Sequence, residues 1–282
     1  MSKHSPFSPK PGSPSASDQA LQRAALALQM QRPGEAERLA AGVLKASRGN
    51  VAAAVLLARA LMLQNRADEA IPPLERAARR GNNPSVETLL ATALAAVGRR
   101  DEAQDLLRQA TARRPPFPPA FVEYANQLAA VAKFDEAIAV LEDGLAMSPD
   151  IVDLQFRLAS LYIGRNNRTE ARTILLRAAA AAPARHDILA ELARVMALDG
   201  EYAAAAETYR RVLALRPDHA LSRANLGVCL MEMGDRDAGQ ASLREAMRGR
   251  PEMFGRAILS LAATAHGRFF FRPSAAAKFL QA

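Results

Sequence analysis

No tryptophan occurs in the chain of 282 residues, cysteine appears once, and aromatic residues make up only 5%. A lone cysteine, Cys229, excludes an intramolecular disulfide framework. Its place inside the apolar run ANLGVCLMEM reads as that of a small core residue, not of a nucleophile. No G-x4-G-K-[ST], G-x-G-x2-G or G-x-S-x-G stretch is present, so phosphate-cradling loops and the nucleophile elbow are both missing. The four histidines, His4, His186, His219 and His266, stand far apart with no H-x3-H or H-E-x2-H spacing, which marks them as solvated turn residues. Acidic pairs such as Asp101-Glu102 and Asp135-Glu136 fall where second helices begin, and there a negative charge meets the positive end of the helix dipole. Nothing here points to an enzyme, and neither metal nor cofactor is expected. No uncharged apolar run reaches the roughly 18 residues of a membrane span. The first residues, MSKHSPFSPKPGSPSASDQ, lack the apolar core of about 7 to 15 residues of a secretory signal. Residues 1–16 read as a disordered tail, and the expected location is cytoplasmic.

What is present is helix-forming. Half of the residues are apolar, and long stretches rich in Ala, Leu, Glu and Arg run without β-branched alternation, which predicts an all-α protein. The formal net charge is +8, yet only five of the 37 basic residues are lysine. This Arg and Ala bias fits a GC-rich genome, and the charges are spread along the chain, so nucleic acid is not the expected partner.

Five prolines, Pro115, Pro149, Pro183, Pro217 and Pro251, lie at intervals of 34 residues. On a 34-residue frame beginning at Pro118, Val152, His186 and Ala220, the eighth place holds Ala125, Ala159, Ala193 and Gly227. The twentieth holds Ala137, Ala171, Ala205 and Gly239, and large apolar residues such as Leu128, Leu141, Leu158, Leu175 and Tyr209 fall between the small ones. That arrangement predicts two antiparallel helices per repeat, close where Ala or Gly removes bulk. Gly200 and Gly234 suit the turn within a repeat. The repeat proline closes the second helix, and Asp150 and Asp218 are placed to cap the helix that follows. Repeats are expected at 17–50, 51–83, 84–117, 118–151, 152–185, 186–219 and 220–253, the first degenerate, with a different segment over 254–282.

With Leu226-Gly227, Ala205 and Tyr209, and Pro217 in these places, the chain resembles the tetratricopeptide repeat family, in its bacterial type. The resemblance implies a right-handed superhelical solenoid of about seven antiparallel helix pairs with a C-terminal capping segment. It also implies a scaffold that binds a partner protein or peptide in a concave groove lined by the first helices. The groove offsets, the second, fifth, ninth and twelfth of a repeat, nominate Arg59, Thr92, Val122, Asn126, Phe156, Ser160 and Arg194, with Thr88, Asp153, Asp187 and Val228 beside them. Asn126 matches one member of the Lys/Asn/Arg carboxylate clamp of some relatives, but Val122 stands where the clamp lysine would be. A peptide with both charges and one or two apolar anchors fits better, bonded by Asn126 and Arg59 or Arg194 and anchored on Phe156. The alternatives are an RNA- or anion-binding solenoid and a subunit of a larger envelope or polysaccharide assembly.

Five of the ten phenylalanines lie in the last 29 residues. Two readings apply to Arg268, Phe269, Phe270, Phe271 and Arg272. Either they fold back with the helix after Pro273 to cap the stack, or they form a docking surface for a partner or a second copy of the chain.

Overall fold

A computed structural model describes residues 15–81, 83–267 and 273–281. Every regular element among them is helical, and the chain divides into two compact units, one ending at Met147 and the other beginning at Ser148.

The first unit holds four antiparallel pairs: α1 (Ala16–Gln29) with α2 (Pro33–Ala46), α3 (Val51–Leu63) with α4 (Ala67–Ala78), α5 (Pro84–Ala96) with α6 (Arg100–Ala112), and α7 (Pro118–Ala130) with α8 (Phe134–Met147). The second holds three: α9 (Val152–Gly164) with α10 (Arg168–Ala181), α11 (His186–Leu198) with α12 (Tyr202–Leu215), and α13 (Ala220–Glu232) with α14 (Arg236–Met247). A 3₁₀ turn (Pro251–Met253), α15 (Phe254–Ala263) and α16 (Pro273–Gln281) follow.

From α3 onward each first helix begins on the opening residue of its 34-residue frame. The small places are closed to solvent: Ala125, Ala137, Ala159, Ala171, Ala193 and Ala205 are fully buried. The crossing of α13 and α14 is close, and a β-carbon added at Gly227 would stand 2.7 Å from the carbonyl oxygen of Gly239. In the degenerate first repeat Ala27 and Ala40 occupy large-residue places and are buried nonetheless. Within each unit a second helix packs on its own first helix and on the next, while first helices α1, α3 and α5 also touch one another. This leaves the first helices with an inner face.

Each of the seven turns inside a pair carries one left-handed residue: Gln31, Asn65, Gly98, Ala132, Asn166, Gly200 and Gly234. Its amide bonds back to the closing turn of the first helix, so the reversal takes a fixed number of residues.

The expected aspartate caps are not formed. The residue capping α13 is His219, whose side chain accepts from the Ser222 amide, while Asp218 pairs instead with Arg216 at 3.2 Å. At α9 the cap position falls on Ile151, one residue past Asp150. The reason is geometric: the turn after the repeat proline is one residue longer than a direct Pro-Asp cap allows. His219 is thereby half-buried, its ring edge-on to that of His186 with centroids 6.0 Å apart, so these two histidines are packed turn residues and not solvated ones. Burial, and then His186, hold the His219 pKa below its ordinary value.

Candidate functional site: the inner face of the first helices

Helix α3, VAAAVLLARALML, turns Ala53, Ala54, Ala58 and Leu61 into the core. Its opposite side faces α1 and α5, and there a cleft of about 540 Å³ opens between Ala25, Leu28, Leu56, Arg59, Met62 and Leu89. The walls are aliphatic. Arg59 is exposed and has no ion pair or hydrogen bond among the described residues, so its guanidinium stands uncompensated at an apolar cleft. Leu63, at the same cleft, is 53% exposed. Of the sequence-predicted residues only Arg59 lines it; Leu28 and Met62 sit at the twelfth place of their repeats, and Leu56 and Leu89 at the sixth. The sixth place was not among the groove offsets, and its repeated leucine was the available signal.

The hydroxyls expected in the groove are turned to their own helices. Thr92 donates to the Thr88 carbonyl at 3.0 Å, Thr88 to that of Pro84 at 2.7 Å, and Ser160 to that of Phe156 at 2.8 Å. Val122 and Asn126 are half-buried on α7, and the Asn126 amide has no partner among the described residues. The inner side of the first unit is therefore an apolar strip bearing Arg59 and Asn126.

In the second unit the nominated residues are already engaged. Phe156 packs against the unit's own core, with the Arg185 guanidinium 5.9 Å from its ring centroid. Arg185 in turn pairs with Asp153 at 2.8 Å and Asp187 at 2.7 Å, and it holds the Asp187 carboxyl below the usual carboxylate range. Arg194 is bound to Glu191 of its own helix at 2.7 Å. Nearby, Asn225 donates to the Tyr209 hydroxyl at 3.1 Å, and burial pushes the Tyr209 phenol above its ordinary range. Val228 is half-buried on α13. Cys229 is buried and pushed up to about 11 by that burial, which suits a core thiol.

Arg268, Phe269, Phe270, Phe271 and Arg272 lie outside the described residues. The helix that follows them, α16, packs on α14, burying Ala276 and Leu280, while Arg244 lies 4.6 Å from the ring centroid of Phe279. Among the described residues no group of three metal-ligating side chains occurs, and no helix is long and apolar enough to cross a membrane.

Paired helices on this period, with small residues at the crossings and an inner face of first helices, define a helical-repeat protein. Tetratricopeptide repeat models match residues 27–92, 128–195 and 196–261, and a second such model matches 84–109. These spans exceed half of the chain, which belongs to the tetratricopeptide repeat family. No curated protein matches the sequence. Among solved structures the chain is similar to MamA, at 17% identity over 58% of this chain and 95% of that one, with a TM-score of 0.53. It is similar to YrrB, described as a TPR protein with an unusual peptide-binding site, at 19% identity over 67% and 96% of the two chains, with a TM-score of 0.55. It is also similar to the human IFIT1 dimer with m7Gppp-AAAA, at 16% identity over 88% of this chain and 62% of that one, with a TM-score of 0.64. At these identities the likeness is one of fold.

Proposed function

We propose that the chain is a non-catalytic scaffold that binds a segment of a partner protein along the inner face of its first helices, in the cytoplasm. The observation that carries this is the α1/α3/α5 cleft, where aliphatic walls adjoin an arginine with no carboxylate of its own. Such a surface favours a segment that places one or two large apolar side chains in the cleft and a carboxylate on Arg59. YrrB, similar in fold, is described as having an unusual peptide-binding site, which supports a peptide segment as the ligand. Of the two arginines expected as alternatives, Arg59 is the main cation, because Arg194 already holds Glu191. Phe156, covered by Arg185, gives way as the anchor site to Leu28, Leu56 and Met62.

The test is selection from a random peptide library followed by calorimetry on the enriched sequences. Enrichment of an acidic residue beside large apolar ones is expected, with binding weakened about tenfold or more by Arg59→Glu at an unchanged melting temperature. Peptides that bind Arg59→Glu as tightly as the native chain would remove the cleft from the proposal. If RNA binds instead, with an affinity that falls steeply and log-linearly with salt, the anion-binding alternative is the correct one.

A further inference from the structure

A second concavity lies at the other end of the sequence, inside the second unit and apart from the inner face. It has a volume of about 630 Å³ between the last turn of α14, the 3₁₀ turn and α16. Its floor is apolar, formed by Met247, Phe254 and Leu280. Its rim carries three arginines, Arg244, Arg248 and Arg250, and no acidic residue lines it. Gly249, with a φ of 71°, reverses the chain between two of them and so brings Arg248 and Arg250 to one rim.

The way these arginines are held bears on the charge they keep. Some guanidiniums of the chain are fixed by carboxylates, as Arg66 is by Glu37 and Glu69 and Arg172 by Glu201, while others, such as Arg223 and Arg236, donate to backbone carbonyls. At the pocket Arg244 donates to the Phe279 carbonyl at 3.1 Å and lies over the Phe279 ring. Arg250 donates to the Asp218 carbonyl at 3.0 Å. Neutral acceptors position these two groups and each keeps further N–H donors; the Asp218 carboxylate, already paired with Arg216, offsets only part of the Arg250 charge. Among the described residues, of the three only Arg248 has an ion pair, with Glu245 at 3.0 Å. The negative end of the α14 dipole offsets part of the charge but is worth only about 0.3–1 kcal/mol per cation. Two prepositioned guanidiniums with no ion pair of their own among the described residues, above an apolar floor, are complementary to an anion attached to an apolar body, and the volume falls within the range of about 300–1,000 Å³ of small-molecule sites.

We propose that this pocket binds an amphiphilic anion, a carboxylate or phosphate head on an aliphatic chain, with the head on Arg244 and Arg250 and the chain over Phe254 and Leu280. Calorimetry on the full chain with decanoate, decyl phosphate, decanol and inorganic phosphate tests it. One decanoate or one decyl phosphate per chain is expected to bind, with decanol and inorganic phosphate about tenfold weaker or worse, because each lacks half of the recognition. The tighter of the two amphiphiles identifies the head group. Arg250→Gln, which stays polar at the rim but loses the charge, should weaken binding about tenfold at an unchanged melting temperature. Ala277→Phe, which fills the pocket mouth from α16, should abolish it. Decanol binding as tightly as decanoate, inorganic phosphate binding as tightly as decyl phosphate, or undiminished binding by both variants would each overturn the assignment.

Discussion

At the scale of single residues, the glycines of this chain have opposite meanings that their identity alone does not distinguish. Gly227 sits on α13 where α14 crosses it, and a methyl group there would meet the Gly239 carbonyl oxygen at 2.7 Å and Leu243 at 3.1 Å. Gly42 lies exposed inside α2 with nothing within 4 Å of its would-be β-carbon. Gly227→Ala should therefore destabilise the protein by about 1–3 kcal/mol through overpacking, in spite of the better helix propensity of alanine. Gly42→Ala should stabilise it by about 0.5–1 kcal/mol. Denaturant melts of both variants check the pair, and equal effects would contradict the crossing. A second residue-scale expectation concerns Ala132, which holds a left-handed φ of 61° at the turn where three other repeats use glycine. Ala132→Gly relieves the clash between the β-carbon and the following carbonyl, and a gain of about 0.5–1 kcal/mol is expected in the same assay.

At the scale of elements, every helix pair depends on its neighbour for burial, so the ends of the array need covers. Helix α16 provides one: Leu280, only 3% exposed, joins Leu243, Ala246, Ala257 and Leu261 in one cluster, and Arg244 reaches across to the Phe279 carbonyl. Leu280→Ala should cost about 2–4 kcal/mol and lower the first thermal transition. An unchanged melt would mean that α16 does not seal α14. The elements are also fastened at their edges. Arg66 of the second pair reaches Glu37 of the first at 2.9 Å, and Arg168 of α10 reaches Asp199 beyond α11 at 2.9 Å. At the fourth place of two repeats the chain buries polar residues: Glu87 lies against Arg113 at 2.9 Å, and Gln155 donates to the Pro149 carbonyl at 2.7 Å. Each has one partner inside its own unit, while Glu87 Oε2 and Gln155 Oε1 are buried with no hydrogen bond among the described residues.

At the scale of the whole molecule, stability in a repeat array is close to a sum over repeats and their interfaces, since each repeat touches only its neighbours. The chain follows this, with cores assigned to each unit: Ala54 to Leu107 in the first, Ala159 to Leu230 in the second. Fragments 15–147 and 148–282 are therefore each expected to give a strongly helical circular dichroism spectrum and a cooperative melt. A fragment without helical signal would show that its repeats depend on the other unit. The cleft with Arg59 belongs to the first unit and the arginine-rimmed pocket to the second, so each binding test also works on its own half once that half is shown to fold.

The sequence by itself determined the repeat: a period of 34, small residues where helices cross, and a proline after five of the seven second helices leave only paired antiparallel helices as a way to bury the apolar places. Periodicity carries that information because core packing is a local constraint repeated seven times. Which groove residues are free to meet a partner was decided only by tertiary structure. Arg59 and Arg194 share an offset, yet Arg194 has Glu191 one turn away and Arg59 has no ion pair among the described residues. Phe156 occupies a groove offset, but Arg185, 29 residues further on, lies over its ring. The arginine-rimmed pocket was equally hidden, because it exists only where the turn at Gly249 meets α16. Side-chain pairing across repeats depends on distances that no periodic pattern encodes, so the scaffold could be read from the chain while its binding surfaces could not.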